Sequence, residues 1–336
     1  MIKTITILLV FFISGMLFSC GELVLGPDPE NTPQENFQLL WDDFDRHYSR
    51  FELKGVNWDS LYIIYQPQIN SNTTGEQLFD IISSLLSHLK DTHAKLETPY
   101  GIYHYWPKKF KRNFNPEIIE SNYLTNAKQY RAYTYGKLKD ELGYIHIKSF
   151  TYSEESYKFI DTIISEFKNC TGIVVDVRNN GGGNSSNAEI VAGRFTDTER
   201  LFAYAKYRNG PNHNDFTELF PAYIKPDGDR QFTKSIALLT NRYSGSATED
   251  LVLMMKVLPY VTLMGDTTSG SIGGHPITRE LPNLWIYRLS TGRYYSADYE
   301  SFEGTGIPPD IPVLITESDS LNGKDTILEK AMELLQ

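Results

Sequence analysis

Ile236-Ala237-Leu238-Leu239-Thr240-Asn241-Arg242-Tyr243-Ser244-Gly245-Ser246-Ala247-Thr248-Glu249 takes the chain from an apolar run through a polar turn into a helical pattern that continues to about Val257. A short apolar run bounded by turn residues reads as a buried strand. Strand, tight turn and helix in succession are the repeating unit of a parallel α/β sheet, whose sites collect at the carboxyl ends of strands. A hydroxyl at this turn, Ser246, faces the positive end of a helix dipole, with backbone N–H groups nearby to hold an oxyanion. Ser-x-x-Glu is equally a capping box, in which Ser246 bonds the Glu249 amide. The segment alone favours the cap.

The same texture extends to either side. Ile173 to Val177 is a second apolar strand, which meets Asn179-Asn180-Gly181-Gly182-Gly183-Asn184 and then a helical stretch from Ser186 to Phe195. Three glycines after a strand let backbone amides approach a ligand closely. Neither GxGxxG nor GxxxxGK[ST] is present, so a nucleotide-binding reading fails. Tyr144 to Ile147 and Val261 to Met264 are further strands, Ser153 to Phe167 reads as a helix, and Asp325 to Leu335 as a closing helix. Alternation of strand, loop and helix predicts an α/β fold.

The region from Glu35 to Leu89 is different. Phe37, Leu40, Trp41, Phe44 and Tyr48, and later Leu78, Ile81, Ile82, Leu85, Leu86 and Leu89, recur at three- and four-residue spacing, which predicts amphipathic helices. Before it, Lys3 and the apolar run Ile5 to Phe18 form a signal-peptide pattern too short to span a bilayer of roughly 30 Å. Leu17-Phe18-Ser19-Cys20-Gly21 resembles a bacterial lipobox, with Cys20 the lipidated residue. Three prolines without an apolar period make the following stretch a tether. The expected organisation is a signal peptide over 1–19, a tether over 20–34, a helical domain over 35–92 and a core over 93–336. The implied location is the cell envelope, with the exported chain lipid-anchored to a bacterial membrane on its periplasmic or extracellular face.

Composition narrows the function. A formal net charge of -10 argues against nucleic-acid binding; the cluster Lys108, Lys109, Lys111 and Arg112 reads as a solvated turn. Two cysteines, one the expected lipid site, make neither a disulfide framework nor a cysteine-based zinc site, and Cys170 reads as a small core residue.

Taken together, the motifs resemble those of the S41 peptidases, the family of C-terminal processing proteases and the tricorn core. Asp176-Val177-Arg178-Asn179-Asn180-Gly181-Gly182-Gly183 is similar to its D-x-R-x-N-x-G-G signature, and Gly143 to Phe150 to its G-Y-I-x-I-x-x-F strand. Ser246-Ala247-Thr248-Glu249 matches the nucleophile segment, Gly265 to Gly270 the G-E-x-T-x-G loop, and Glu303 to Asp310 the E-G-x-G-I-x-P-D ending. All five stand in family order. The resemblance implies a crotonase/ClpP-like α/β core preceded by a small helical domain.

It also implies how the serine is activated. Processing proteases use a lysine 25 residues after the nucleophile, where this chain has Ser271; Lys256 lies inside the nucleophile's own helix. The tricorn-like branch uses a histidine after a hydroxyl residue and a late glutamate, places filled here by Thr92-His93 and Glu303. Histidine, with an unperturbed pKa of about 6.5, suits a base near neutrality, and a carboxylate acting through the Thr92 hydroxyl would orient it. His275 and, less well, His146 are rival bases. The Ala247 amide with that of Gly182, or next Gly183, would form the oxyanion hole, while Asp176 and Arg178 hold the glycine turn in shape. Only about 50 residues separate His93 from Gly143, too few for a PDZ module.

The implied activity is hydrolysis of peptide or protein substrates by acyl transfer, in endopeptidase or carboxy-terminal mode, with no metal or cofactor. A non-catalytic binding protein on the same fold and a cell-envelope esterase or amidase are the alternatives. Oligomeric state is left open.

Overall fold

A computed structural model describes residues 30–106, 110, 113–139 and 141–336. The expected signal peptide, Cys20, most of the tether and the four clustered basic residues lie outside the described residues. The chain begins with α1 (Pro33–His47), α2 (Phe51–Lys54), α3 (Trp58–Tyr65) and α4 (Gly75–Ser87), followed by β1 (Lys95–Thr98), β2 (Gly101–His104), α5 (Pro116–Asn122), β3 (Thr125–Tyr130), β4 (Tyr133–Lys137) and β5 (Gly143–Ile147). Next come α6 (Glu154–Lys158), α7 (Ile160–Glu166), β6 (Gly172–Asp176), α8 (Ser185–Gly193), β7 (Arg200–Tyr207), β8 (Phe220–Ile224), β9 (Ser235–Thr240) and α9 (Ala247–Lys256). The remainder is β10 (Val261–Gly265), β11 (Pro276–Glu280), β12 (Ile286–Ser290), β13 (Gly292–Ser296), β14 (Ile311–Pro312), α10 (Glu317–Leu321) and α11 (Thr326–Leu335). The expected mixed α/β architecture with an amino-terminal helical region holds.

The central sheet has seven strands in the order β14-β10-β9-β6-β5-β4-β3. It is parallel from β14 to β5, and antiparallel where β4 and β3 extend it. Successive side chains on a strand point to opposite faces, and the core shows this directly. Ile173, Val175, Ile236 and Leu238 pack with α8 and α9 in one hydrophobic cluster. Val174, Ala237, Leu239 and Met264 pack with Ile327, Leu328, Ala331 and Leu335 of α11 in another. Burial on both faces explains why these strands read as continuous apolar runs. The stretch from Ser153 to Phe167 forms two helices rather than one: a three-residue-spaced bond from the Thr162 amide to Phe159 O tightens the chain there, and Phe159 stacks on Tyr130 at 3.9 Å.

The amino-terminal unit buries the residues that the helical spacing indicated, apart from Ile81, which is half-buried. Thr32 caps α1 and Pro33 occupies its first turn; Trp41 stacks on Trp58 at 4.3 Å. A capping box of Thr74 and Gln77 starts α4. This cluster also takes in Leu96, Leu281, Trp285, Tyr287 and Leu289, from the four-stranded antiparallel sheet β11-β12-β1-β2. The helical unit and the second half of the chain therefore share one core. That sheet sets the site, because β1 starts two residues after His93 and β12 ends at Ser290.

Candidate active site

The nucleophile turn follows from its hydrogen bonds. After β9 ends, Asn241 Oδ1 accepts the amides of Asn179 (3.0 Å) and Tyr243 (3.1 Å), while the Gly245 amide and Thr248 hydroxyl donate to Asn180 O (both 3.0 Å). The glycine turn and the serine turn are thus stitched together. Ser246 is held at φ 56°, ψ −126°, a left-handed conformation that costs a non-glycine residue on the order of 1–3 kcal/mol and concentrates at functional sites. Its Oγ lies 3.5 Å from His93 Nε2. Gly182, at φ 98°, packs against this turn so closely that a Cβ there would sit 2.5 Å from Gly245 O and 2.8 Å from Ser246 Cβ.

Glu249 does more than cap. Its Oε2 accepts the Ser246 amide (3.1 Å), the Ser271 amide (2.8 Å) and the Ser269 hydroxyl (3.3 Å), and its Oε1 accepts the Thr268 hydroxyl (2.6 Å) and the Gly270 amide (2.8 Å). One carboxyl ties the serine to the loop over 268–271. Complete burial pushes its pKa up to about 7, against the lowering effect of those donors. One turn beyond Ser246, Asp250 accepts a bond from the Ser185 hydroxyl while its Oδ1 has no partner among the described residues; burial pushes it up to about 6.

The histidine stands on a separate support. Asp91, fully buried, accepts the His93 amide on Oδ1 (2.8 Å) and the Tyr48 and Ser290 hydroxyls on Oδ2 (both 3.0 Å). Arg50 Nη1 reaches Asp91 Oδ1 at 3.3 Å and Glu303 Oε2 at 2.7 Å, while Nη2 donates to Ile272 O at 2.7 Å. Burial alone would raise the Asp91 carboxyl; the Arg50 guanidinium and the bond from His93 outweigh it and hold it well below the usual carboxylate range. His93 Nδ1 lies 3.7 Å from Asp91 Oδ1 and has no hydrogen-bond partner among the described residues.

The other sequence candidates fall as follows. Thr92 Oγ1 bonds Ser271 Oγ. Glu303 pairs with Arg50 and with Lys54 Nζ (2.6 Å), and among the described residues no hydrogen bond joins it to the Thr92 hydroxyl. The Gly182 amide donates to Asn180 Oδ1 at 2.9 Å, whereas no such bond engages the Gly183 amide among the described residues. The Ala247 amide is the first of α9 and has no intrahelical acceptor. His275 pairs with the Tyr207 hydroxyl at 3.2 Å. His146 is buried mid-strand against Phe114, and burial lowers its pKa. Arg178 bonds Asp176 and Asp325 beneath the glycine turn, and Cys170 is a buried free thiol. Among the described residues no group of three or more His, Cys, Asp or Glu is placed to hold a metal ion.

Asp91, Arg50 and Ser271 are the members that reading the sequence did not assign. Asp91 stands in the stretch that contains His93, two residues before it, which is a usable signal. Arg50 gives none: it follows an aromatic helix face as any surface arginine would. Ser271 registered only as the missing lysine.

A strained serine at a helix mouth, an imidazole within reach and a glycine turn packed against the serine define a serine-hydrolase type of site on an α/β sheet. The Peptidase family S41 model matches residues 141–313, and the Tricorn protease C1 domain model matches residues 29–87. The chain belongs to peptidase family S41. It is 36% identical to a candidate peptidase from Parabacteroides merdae of known crystal structure, with a TM-score of 0.83 over 91% of this chain and 97% of that one. Over 275 residues, 81% of this chain, it is 29% identical to a tricorn protease homolog from Saccharolobus solfataricus, and over 180 residues, 53% of this chain, 28% identical to the carboxy-terminal processing protease CtpA of Bacillus subtilis. These matches span only 22% and 36% of those two relatives' own lengths.

Proposed function

We propose that this chain hydrolyses peptide bonds by acyl transfer, with Ser246 as nucleophile and His93 as base. His93 Nε2 takes the hydroxyl proton as Ser246 Oγ attacks the peptide carbonyl, then gives it to the departing amine. Water, activated by the same nitrogen, releases the acyl group and restores the serine. The Ala247 amide and one from the glycine turn hold the developing oxyanion. Because Asn180 engages the Gly182 amide, Gly183 is the readier second donor, and Gly182 serves once that bond opens. Thr92 and Glu303 complete the arrangement around the base, Thr92 through Ser271 and Glu303 through Arg50 and Lys54. The observation that carries this reading is the 3.5 Å approach of His93 Nε2 to Ser246 Oγ, at a distance that commonly tightens when substrate binds.

The stretch between His93 and Gly143 is too short for a PDZ module, so in this reading choice of substrate falls to the core and the helical unit. The lipobox-like Leu17 to Cys20 supports a further proposal, that the protein is held at the cell envelope by a lipid on Cys20. Incorporation of radiolabelled palmitate that is lost in Cys20→Ala tests the anchor. For the chemistry, a fluorophosphonate probe should label the wild-type protein, and Ser246→Ala should lose both labelling and cleavage of a peptide library. Labelling that survives Ser246→Ala overturns the nucleophile; cleavage of short esters but never of peptides overturns the substrate class.

A further inference from the structure

We propose that Asp91 is the positioning residue that orients His93, and that Tyr48 and Arg50 of the helical unit put it there. The inference rests on the serine-peptidase reading above and identifies the carboxylate behind its base.

A histidine that takes a proton on Nε2 needs its other nitrogen protonated and directed, which a hydrogen-bonded third group accomplishes. His93 Nδ1 is buried and without a hydrogen-bond partner among the described residues, and the carboxylate oxygen beside it is Asp91 Oδ1, 3.7 Å away. That oxygen already accepts His93's own amide at 2.8 Å, so the loop cannot drift from the carboxylate without breaking a buried bond. The other oxygen is fixed by Tyr48 and Ser290.

Among the described residues, no hydrogen bond joins the Thr92 hydroxyl to Glu303. The Thr92 hydroxyl meets Ser271, and both oxygens of Glu303 face cations, Lys54 and Arg50. Gly274 makes room beside Nδ1: a Cβ there would lie 3.3 Å from His93 Nδ1, 3.0 Å from Arg50 Nη2 and 2.8 Å from Ser290 Oγ. Glycine thus keeps ring, guanidinium and hydroxyl together around Asp91. Other ionisable groups around His93 are His104, bonded to Thr92 O from β2, Arg288 on β12, whose Nε donates to His93 O at 3.2 Å, and Asp250 on α9, already bonded to Ser185. During the reaction Asp91 stays ionised and takes no proton. It holds the Nδ1–H and stabilises the imidazolium formed when Nε2 accepts the serine proton.

The test is the pH profile of the fluorophosphonate labelling rate. Asp91→Asn should lower the plateau on the order of 100-fold or more and move the acid limb to lower pH, because a neutral amide no longer favours the imidazolium. Glu303→Gln should leave that limb in place. A limb that moves in Glu303→Gln as far as or farther than in Asp91→Asn overturns the assignment, as does an Asp91→Asn profile like the wild type. Should Asp91→Asn fail to fold, proton NMR decides. The far-downfield resonance of His93 Nδ1–H, identified by its loss in His93→Gln, should persist in Glu303→Gln, and its loss there overturns the proposal. Wild-type protein that does not label, or label that survives Ser246→Ala, removes instead the reading on which this inference stands.

Discussion

Arg178 and Arg50 are both buried, and each is pinned between two carboxylates. Arg178 pairs with Asp176, two residues before it at the end of β6, and with Asp325 at the cap of α11. It braces the glycine turn beneath the nucleophile. Arg50 pairs with Asp91 and Glu303, from segments far from it and from each other in sequence. It braces the loop that carries the base. The serine half of the site is therefore largely written in two contiguous motifs and would form wherever β6 and β9 pair. The histidine half is assembled, and exists only when the helical unit docks on the sheet formed by β1 and β12. A site built this way can lose its base without losing its nucleophile.

The largest effect should come from the self-contained half. Gly182→Ala meets both a positive φ and a contact 2.5 Å from Gly245 O. Turnover should fall at least about 100-fold, since a shift of about 1 Å in a reacting group costs that much; the rate of peptide cleavage measures it, and a near-normal rate would show that the turn is looser than described.

The arginines themselves come next. Removing one partner of a buried ion pair costs about 3–5 kcal/mol, so Arg50→Met and Arg178→Met should both lower the denaturation midpoint clearly. At a temperature where both remain folded, Arg50→Met should lose far more fluorophosphonate labelling. Equal losses would dissolve the distinction between the halves.

Glu249 gives a smaller, pH-dependent effect. Its folded pKa of about 7 lies above the ordinary value of 4.5, so the folded chain binds this proton more tightly than the unfolded one. That contribution to stability is complete below about pH 4.5 and is lost as pH rises through about 7. Relative to Glu249→Gln, the wild type should lose on the order of 1–3 kcal/mol between these limits, read from denaturant midpoints across pH. A wild-type midpoint that rises over that range relative to the variant would show the carboxylate to be stabilised by its five donors.

The smallest effect belongs to a local device of the helical unit. Thr74→Ala removes the cap of α4 and should cost about 1 kcal/mol with labelling unchanged. A loss of labelling there would mean that base positioning depends on helix ends far from the site as well as on the docked face.

Much of this was legible in the residues. The strands Ile173 to Val177 and Ile236 to Leu239 are buried on both faces and so read as unbroken apolar runs; the helical unit declares itself through Phe37, Leu40, Trp41 and Phe44. Strand β3 carries no apolar alternation to read, because it lies at the sheet's edge and is exposed along its length. Ser246 was ambiguous between nucleophile and cap, and the two readings converge: Glu249 accepts the Ser246 amide as a capping glutamate does, and by doing so leaves the hydroxyl turned toward His93.

The sequence by itself determined the succession of the central strands β5, β6, β9 and β10, the nucleophile turn and the glycine turn, because each is a short-range pattern in which backbone hydrogen bonds and residue shape are decided by near neighbours. Tertiary structure alone decided that Asp91 is buried beside His93 with Arg50 against it, and which cations face Glu303. Arg50 and Glu303 lie 253 residues apart in a chain of 336, and nothing local distinguishes a buried arginine from a solvated one. Only packing that withdraws a charge from water makes its partner a necessity.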